Sequence, residues 1–111
     1  MTTAIIANLE KLLGGPRDGA LLRYSLGNEW LKAGDPAQAA TCLRAAIERD
    51  ANYSAAWKLL GKALSESGDL TAARAAYAEG IRVAEAKGDL QAAKEMTVFA
   101  RRLAKDSDSS A

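Results

Sequence analysis

The chain is predicted to be all-α, a short stack of helical hairpins, and three observations predict it. The sequence matches itself at an offset of 34 residues: Leu26 meets Leu60, Gly27 meets Gly61, Gly34 meets Gly68, Asp35 meets Asp69, Ala39 meets Ala73 and Ile47 meets Ile81. Conservative pairs fill the gaps, Leu43 with Tyr77, Ala46 with Gly80 and Trp30 with Leu64. Between the breakers, apolar residues recur at intervals of three and four, which is the period of a helix buried on one face. The breakers themselves are Gly-Asp pairs, a helix stop followed at once by a helix start.

The first element is an amphipathic helix carrying Ile5, Ile6, Leu9, Leu12 and Leu13, closed by Gly14-Gly15-Pro16. The first hairpin follows. Leu22, Leu26, Trp30 and Ala33 form one stripe, and Gly34-Asp35-Pro36 supplies a C-terminal glycine, an N-cap carboxylate and a first-turn proline. Its second helix places Ala39, Leu43, Ala46 and Ile47 on one face and breaks at Asp50-Ala51-Asn52. The second hairpin repeats the plan with Trp57, Leu60 and Leu64, the turn Gly68-Asp69, then Leu70, Ala73, Tyr77, Ile81 and Ala84. Turns this short force antiparallel helices.

After Gly88-Asp89 a closing helix carries Ala92, Met96, Phe99 and Leu103, with Gln91, Lys94, Glu95, Arg101, Arg102 and Lys105 around its remaining face, the distribution of a cap. The expected boundaries are one domain over 1–106, repeats at about 20–53 and 54–87, a cap at about 90–105, and a polar, disordered tail at 107–111.

These residues resemble the tetratricopeptide repeat family, whose 34-residue hairpins carry a Trp, Leu-Gly, Tyr, Ala, Phe, Ala, Pro pattern. The second unit carries Trp57, Leu60-Gly61, Leu64 in place of the tyrosine, Ala73, Tyr77 in place of the phenylalanine and Gly80 in place of the second alanine. The first matches through Leu26-Gly27, Trp30, Ala39, Leu43 and Ala46, with Arg23 where the tryptophan would stand. The resemblance implies a right-handed α-α superhelix of two tetratricopeptide helical hairpins, with a helix before and a capping helix after. Gly61, lacking a side chain, lets the second helix of its hairpin pack close, and Ala73 is small for the same reason. The family's proline is missing from the second unit, where Val83-Ala84-Glu85-Ala86-Lys87 is helix-compatible, so that helix is expected to overrun by about a turn.

Composition narrows the function. With no histidine, one cysteine and scattered carboxylates, the chain offers no catalytic or metal-binding set, and no cofactor is expected. Gly14-Gly15-Pro16 lacks the residues of a phosphate loop and reads as a helix stop. Fifteen basic against fourteen acidic side chains, a net charge of +1, give no field to hold nucleic acid or an anionic membrane. Arg101-Arg102 with Lys105 reads as a solvated cap face. Cys42, among alanines, reads as a small apolar side chain, and its solitude suits a reducing compartment. The opening residues have neither a basic leader nor an apolar run, so a cytoplasmic location is expected.

What is left is a surface. In the family the first helix of each hairpin lines a concave groove. Carried onto this sequence, the groove positions are Leu21, Tyr24, Asn28 and Lys32, then Ala55, Lys58, Lys62, Ser65 and Glu66. Tyr24, Asn28, Lys32, Lys58, Lys62 and Ser65 are the candidate partner-binding residues. Lys58 and Lys62, one helical turn apart, suit a protein or peptide partner bearing carboxylates. The variant of the family that clamps a C-terminal carboxylate is matched only by Asn28, with Tyr24, Leu59, Asp89 and Ala93 at its other positions. The expected function is non-enzymatic protein–protein interaction. The alternative is a self-assembling scaffold, a homo-oligomer, motivated by Val98 off the main stripe of the cap.

Overall fold

A computed structural model describes the backbone of residues 2–110 and the side chains of residues 4–105. Within them run six α-helices and no strand: α1 (Thr2–Glu10), α2 (Ala20–Lys32), α3 (Pro36–Arg49), α4 (Ser54–Glu66), α5 (Leu70–Lys87) and α6 (Leu90–Ser110). Each helix packs on its chain neighbour, α2 with α3 and α4 with α5 forming the hairpins. In addition α4 touches α2, and α6 touches α4. By these contacts α6 stands toward the second hairpin as α4 stands toward the first, and the helices form a right-handed α-α superhelix.

One local device makes every tight turn. Gly34, Gly68 and Gly88 have φ of 82°, 88° and 78°, left-handed values that glycine adopts without steric cost. The aspartate after each glycine then donates its backbone N–H five residues back, Asp35 to Trp30 at 3.0 Å, Asp69 to Leu64 at 2.9 Å and Asp89 to Ala84 at 2.8 Å. Its side chain meanwhile accepts from the first turn of the next helix, at Gln38, Ala72 and Ala92 respectively. Gly-Asp thus satisfies orphan groups of two helix ends at once. The break between hairpins is different: Asp50 accepts from the Asn52 N–H at 3.0 Å, and the Trp57 indole donates to the Ala51 carbonyl at 2.8 Å.

With 18 residues against 14 in α3, α5 overruns by about a turn. The extra length carries Lys87 to the Asn52 carbonyl at 2.9 Å, tying α5 back to the loop between the hairpins.

The core is an alanine-rich seam with a few large anchors. Leu26, Leu43 and Met96 are the largest fully buried side chains, and each such burial contributes about 1.5–3 kcal/mol. The glycines mark the closest approaches. A Cβ on Gly27 would lie 2.6 Å from the Leu43 Cγ, and one on Gly61 would lie 2.6 Å from Cδ1 of the Tyr77 ring. The space that Gly61 leaves is therefore taken by Tyr77. At Gly80 an added Cβ would meet Met96 Sδ at 2.5 Å and Trp57 Cβ at 2.8 Å, so this glycine lets α6 settle onto the second hairpin.

The ends depart from the apolar spacing. α1 stops at Glu10, and Leu12 and Leu13 lie in turns closed by three-residue bonds to Leu9 and Glu10. The chain tightens there because Gly14, at φ 80°, must reverse it. Leu12 and Leu13 still pack, with Leu9, Trp30 and Cys42, around a small separate core of Ile6, Leu22 and Leu26. Ile5 is half exposed. At the other end α6 runs to Ser110, and Ala111, the last residue of the tail expected over 107–111, lies outside the described residues.

Candidate partner-binding groove

Helix α4 carries Lys62 exposed and Lys58 and Ser65 half-buried beside its packing stripe, and α6 touches the same helix. Between them opens a groove of about 540 Å³. Its α4 wall is Lys58, Leu59, Lys62 and Ser65. Tyr77 of α5 lies at its base, and Phe99, Arg102 and Leu103 of α6 form the opposite wall. The Tyr77 and Phe99 rings meet at 5.8 Å between centroids, tilted by 44°, and the Arg102 guanidinium lies 5.9 Å from the Phe99 centroid. Burial, with the Glu66 carboxylate adding to it, pushes the Tyr77 phenol up to about 12, so it stays neutral under the apolar wall.

A smaller hollow of about 210 Å³ between α2 and α4 is lined by Asn28, Leu31, Lys32, Leu59, Lys62 and Glu66. Lys62 and Leu59 line both cavities and join them into one track. Of the six residues named from the sequence, the structure thus brings five to this track: Asn28 and Lys32 at one end, Lys58 and Ser65 at the other, Lys62 between. Tyr24 lines neither cavity. Its ring stacks on Tyr53 at 5.0 Å and 29°, and it is half-buried against the core.

The charges are unequally engaged. Lys58 pairs with Glu95 of α6 at 3.2 Å, and Lys32 with Glu29 at 3.3 Å. Lys62 makes no ion pair among the described residues. Burial raises the Tyr53 phenol and the Cys42 thiol, which disfavours the thiolate of that half-buried sulfur.

Sequence reasoning missed Phe99, Arg102 and Leu103 as groove residues. It assigned Phe99 and Leu103 to the packing stripe and Arg102 to the solvated face. The signal was their spacing, three and four apart, which puts Arg102 on the edge of the stripe instead of opposite it.

No helix of the described residues is long and apolar enough to cross a membrane. Residues 24–89 match the model of the family described as "Tetratricopeptide repeat". The chain is 52% identical over 99 residues to the TPR repeat-containing protein PA0015 of Pseudomonas aeruginosa, covering 89% of this chain and 94% of that one. Among solved structures it is similar to protein BPP2914 from Bordetella parapertussis, with 42% identity, a TM-score of 0.80, and coverage of 92% of this chain and 89% of that one. At 23% identity the Sgt2 TPR domain from Aspergillus fumigatus shares the fold, with a TM-score of 0.82 over 96% of this chain and 70% of its own. Domains of this kind are typically non-catalytic and generally mediate protein–protein interaction. With its Leu-Gly and Gly-Asp positions in register over two 34-residue hairpins, and with a family match over most of both, this chain belongs to the tetratricopeptide repeat family.

Proposed function

We propose that the protein is a non-enzymatic interaction module that holds a peptide or a helix of a protein partner along the track from Asn28 to Ser65. The observation that carries this reading is the groove of about 540 Å³ between α4 and α6, apolar inside and lysine-edged. Carboxylates on the partner suit Lys58 and Lys62. A cytoplasmic setting suits the single thiol of Cys42, which has no partner for an internal disulfide.

The test compares wild-type protein with the Lys58→Glu, Lys62→Glu double variant as baits in the source cell's lysate. A partner retained by the wild type and lost by the variant, with the helical signal unchanged, supports the groove. Equal retention by both removes these lysines from binding.

A second reading, self-assembly, is favoured by Leu90 and Val98, 60% and 41% exposed, which flank a hollow of about 500 Å³ between the end of α5 and α6. Sedimentation velocity over a wide concentration range decides it: a monomer throughout ends the idea, whereas a dimer abolished by Val98→Glu sustains it.

A further inference from the structure

Resting on the groove reading above, we propose that the hollow between α4 and α6 is an anchor subsite for one large apolar side chain of an acidic partner segment. Phe99 and Arg102 select that segment, and Glu95 occupies its place on Lys58 in the free protein. Three features of the molecule converge on this occupant.

The first is the lining. Leu59, Phe99 and Leu103 wall the hollow, and Tyr77 lies at its base as a neutral ring. Its volume lies within the range of about 300–1,000 Å³ that small ligand sites span, and a partner's aliphatic or aromatic side chain placed there would be partly removed from water.

The second is the charge of the rim. Among the described residues Lys58, Lys62 and Arg102 line the hollow and no carboxylate lines it, Glu95 standing outside the lining on Lys58, although the chain as a whole carries a net charge of only +1. The imbalance is local to this rim. It attracts a segment with aspartate or glutamate beside the anchoring residue and opposes one with lysine or arginine there. Arg102 acts from over the Phe99 ring, its guanidinium held beside the anchor by a cation–π contact.

The third is the contact between Lys58 and Glu95. The two side chains are 35% and 41% exposed and meet at 3.2 Å from different helices, α4 and α6, across the mouth of the groove. A half-exposed pair of this kind adds little stability, so a partner's carboxylate can replace the Glu95 carboxylate at little cost. Glu95 then acts as a resident competitor. Removing its charge tightens the binding of an acidic segment, an effect that a purely structural ion pair does not produce.

The experiment selects short random peptides displayed on phage against the full chain, then measures the enriched peptides, synthesised with a fluorophore, by anisotropy. The expected consensus is a leucine, methionine, phenylalanine or tryptophan with aspartate or glutamate at its side. Arg102→Glu and Lys62→Glu, both at exposed positions, weaken binding by about tenfold or more with unchanged thermal melting, and Glu95→Gln strengthens it by about threefold. Phe99→Leu probes the anchor with a small change of volume, and its melting curve separates lost packing from lost recognition. Peptides that need Lys62 but ignore Arg102 and Phe99, or that lack the apolar residue, overturn the anchor subsite while leaving the groove in use. Peptides indifferent to both Lys62→Glu and Arg102→Glu, or a selection that enriches nothing, overturn the groove reading as well. A weaker interaction on Glu95→Gln overturns the competitor role.

Discussion

The two hairpins share a plan and differ at the position of the family's tryptophan, which is Trp57 in the second and Arg23 in the first. In the second, Trp57 lies half-buried with its Cβ against Gly80, and its indole donates to the Ala51 carbonyl. In the first, the equivalent residue is Arg23, and its guanidinium grips Asp18 with two bonds, Nε to Oδ1 at 2.9 Å and Nη2 to Oδ2 at 2.8 Å. Asp18 also accepts from the Gly14 N–H at 2.9 Å, and Arg49 of α3 approaches it to 4.0 Å. One carboxylate thus ties the loop after α1 to both helices of the first hairpin. The second hairpin is covered by an aromatic ring and a close-packed glycine, the first by an ion pair and a small separate cluster of leucines and an isoleucine. The tryptophan stands where its Cβ meets a glycine of its own hairpin, and an arginine stands in its place where a loop carboxylate is within reach.

Exchanging the two solutions is the strongest test. Asp18 and Arg23 fall at the positions of Asn52 and Trp57 after the shift of 34. Trp57→Arg, which strands a charge against α5 without a carboxylate, is expected to cost about 2–4 kcal/mol in urea unfolding. Adding Asn52→Asp rebuilds the pair and recovers about 1 kcal/mol through coupling. Strict additivity of the two changes would show that the ion pair needs more of the first loop than its two ends.

Next in size is the glycine comparison. Gly61→Leu is expected to destabilise by about 1–3 kcal/mol, because the added side chain meets the rigid Tyr77 ring. Gly27→Leu faces the branched Leu43, whose methyls rotate, and is expected to fall in the lower half of the same range, about 1–2 kcal/mol. Equal melting temperatures for Gly61→Leu and the wild type would remove the packing role of this glycine.

The smallest effect is that of pH. The Arg23 side chain, then the Gly14 N–H, hold the Asp18 carboxyl down at about 2, against an ordinary value of 3.8. A carboxyl whose value is lower in the folded chain stabilises it above about pH 4 and loses that contribution as pH falls through about 2. Thermal melting between pH 5 and pH 2 should therefore decline more steeply in the wild type than in Asp18→Asn. Identical slopes would place the acid sensitivity elsewhere.

The 34-residue period, the Gly-Asp turns and the overrun of α5 were legible because each is local: a left-handed glycine, a capping carboxylate and an uninterrupted helical run act within a few residues of chain. Helical spacing puts Asn28 with Lys32 on one face of α2 and Lys58 with Lys62 and Ser65 on one face of α4, and the family resemblance implied that the two faces line one groove. The contribution of Phe99, Arg102 and Leu103 to the groove was not. It depends on where α6 lies across α4, and that placement is set by Met96 seating on Gly80, a contact between residues 16 positions apart on different helices. Tyr24 likewise has the spacing of a groove residue, but the stack on Tyr53 takes its ring. By itself the sequence determined the elements, their turns and the membership of each helix face, all matters of local backbone and period. Only the tertiary structure decided which faces close against one another and which remain open as a groove, because packing depends on shapes that meet from distant parts of the chain.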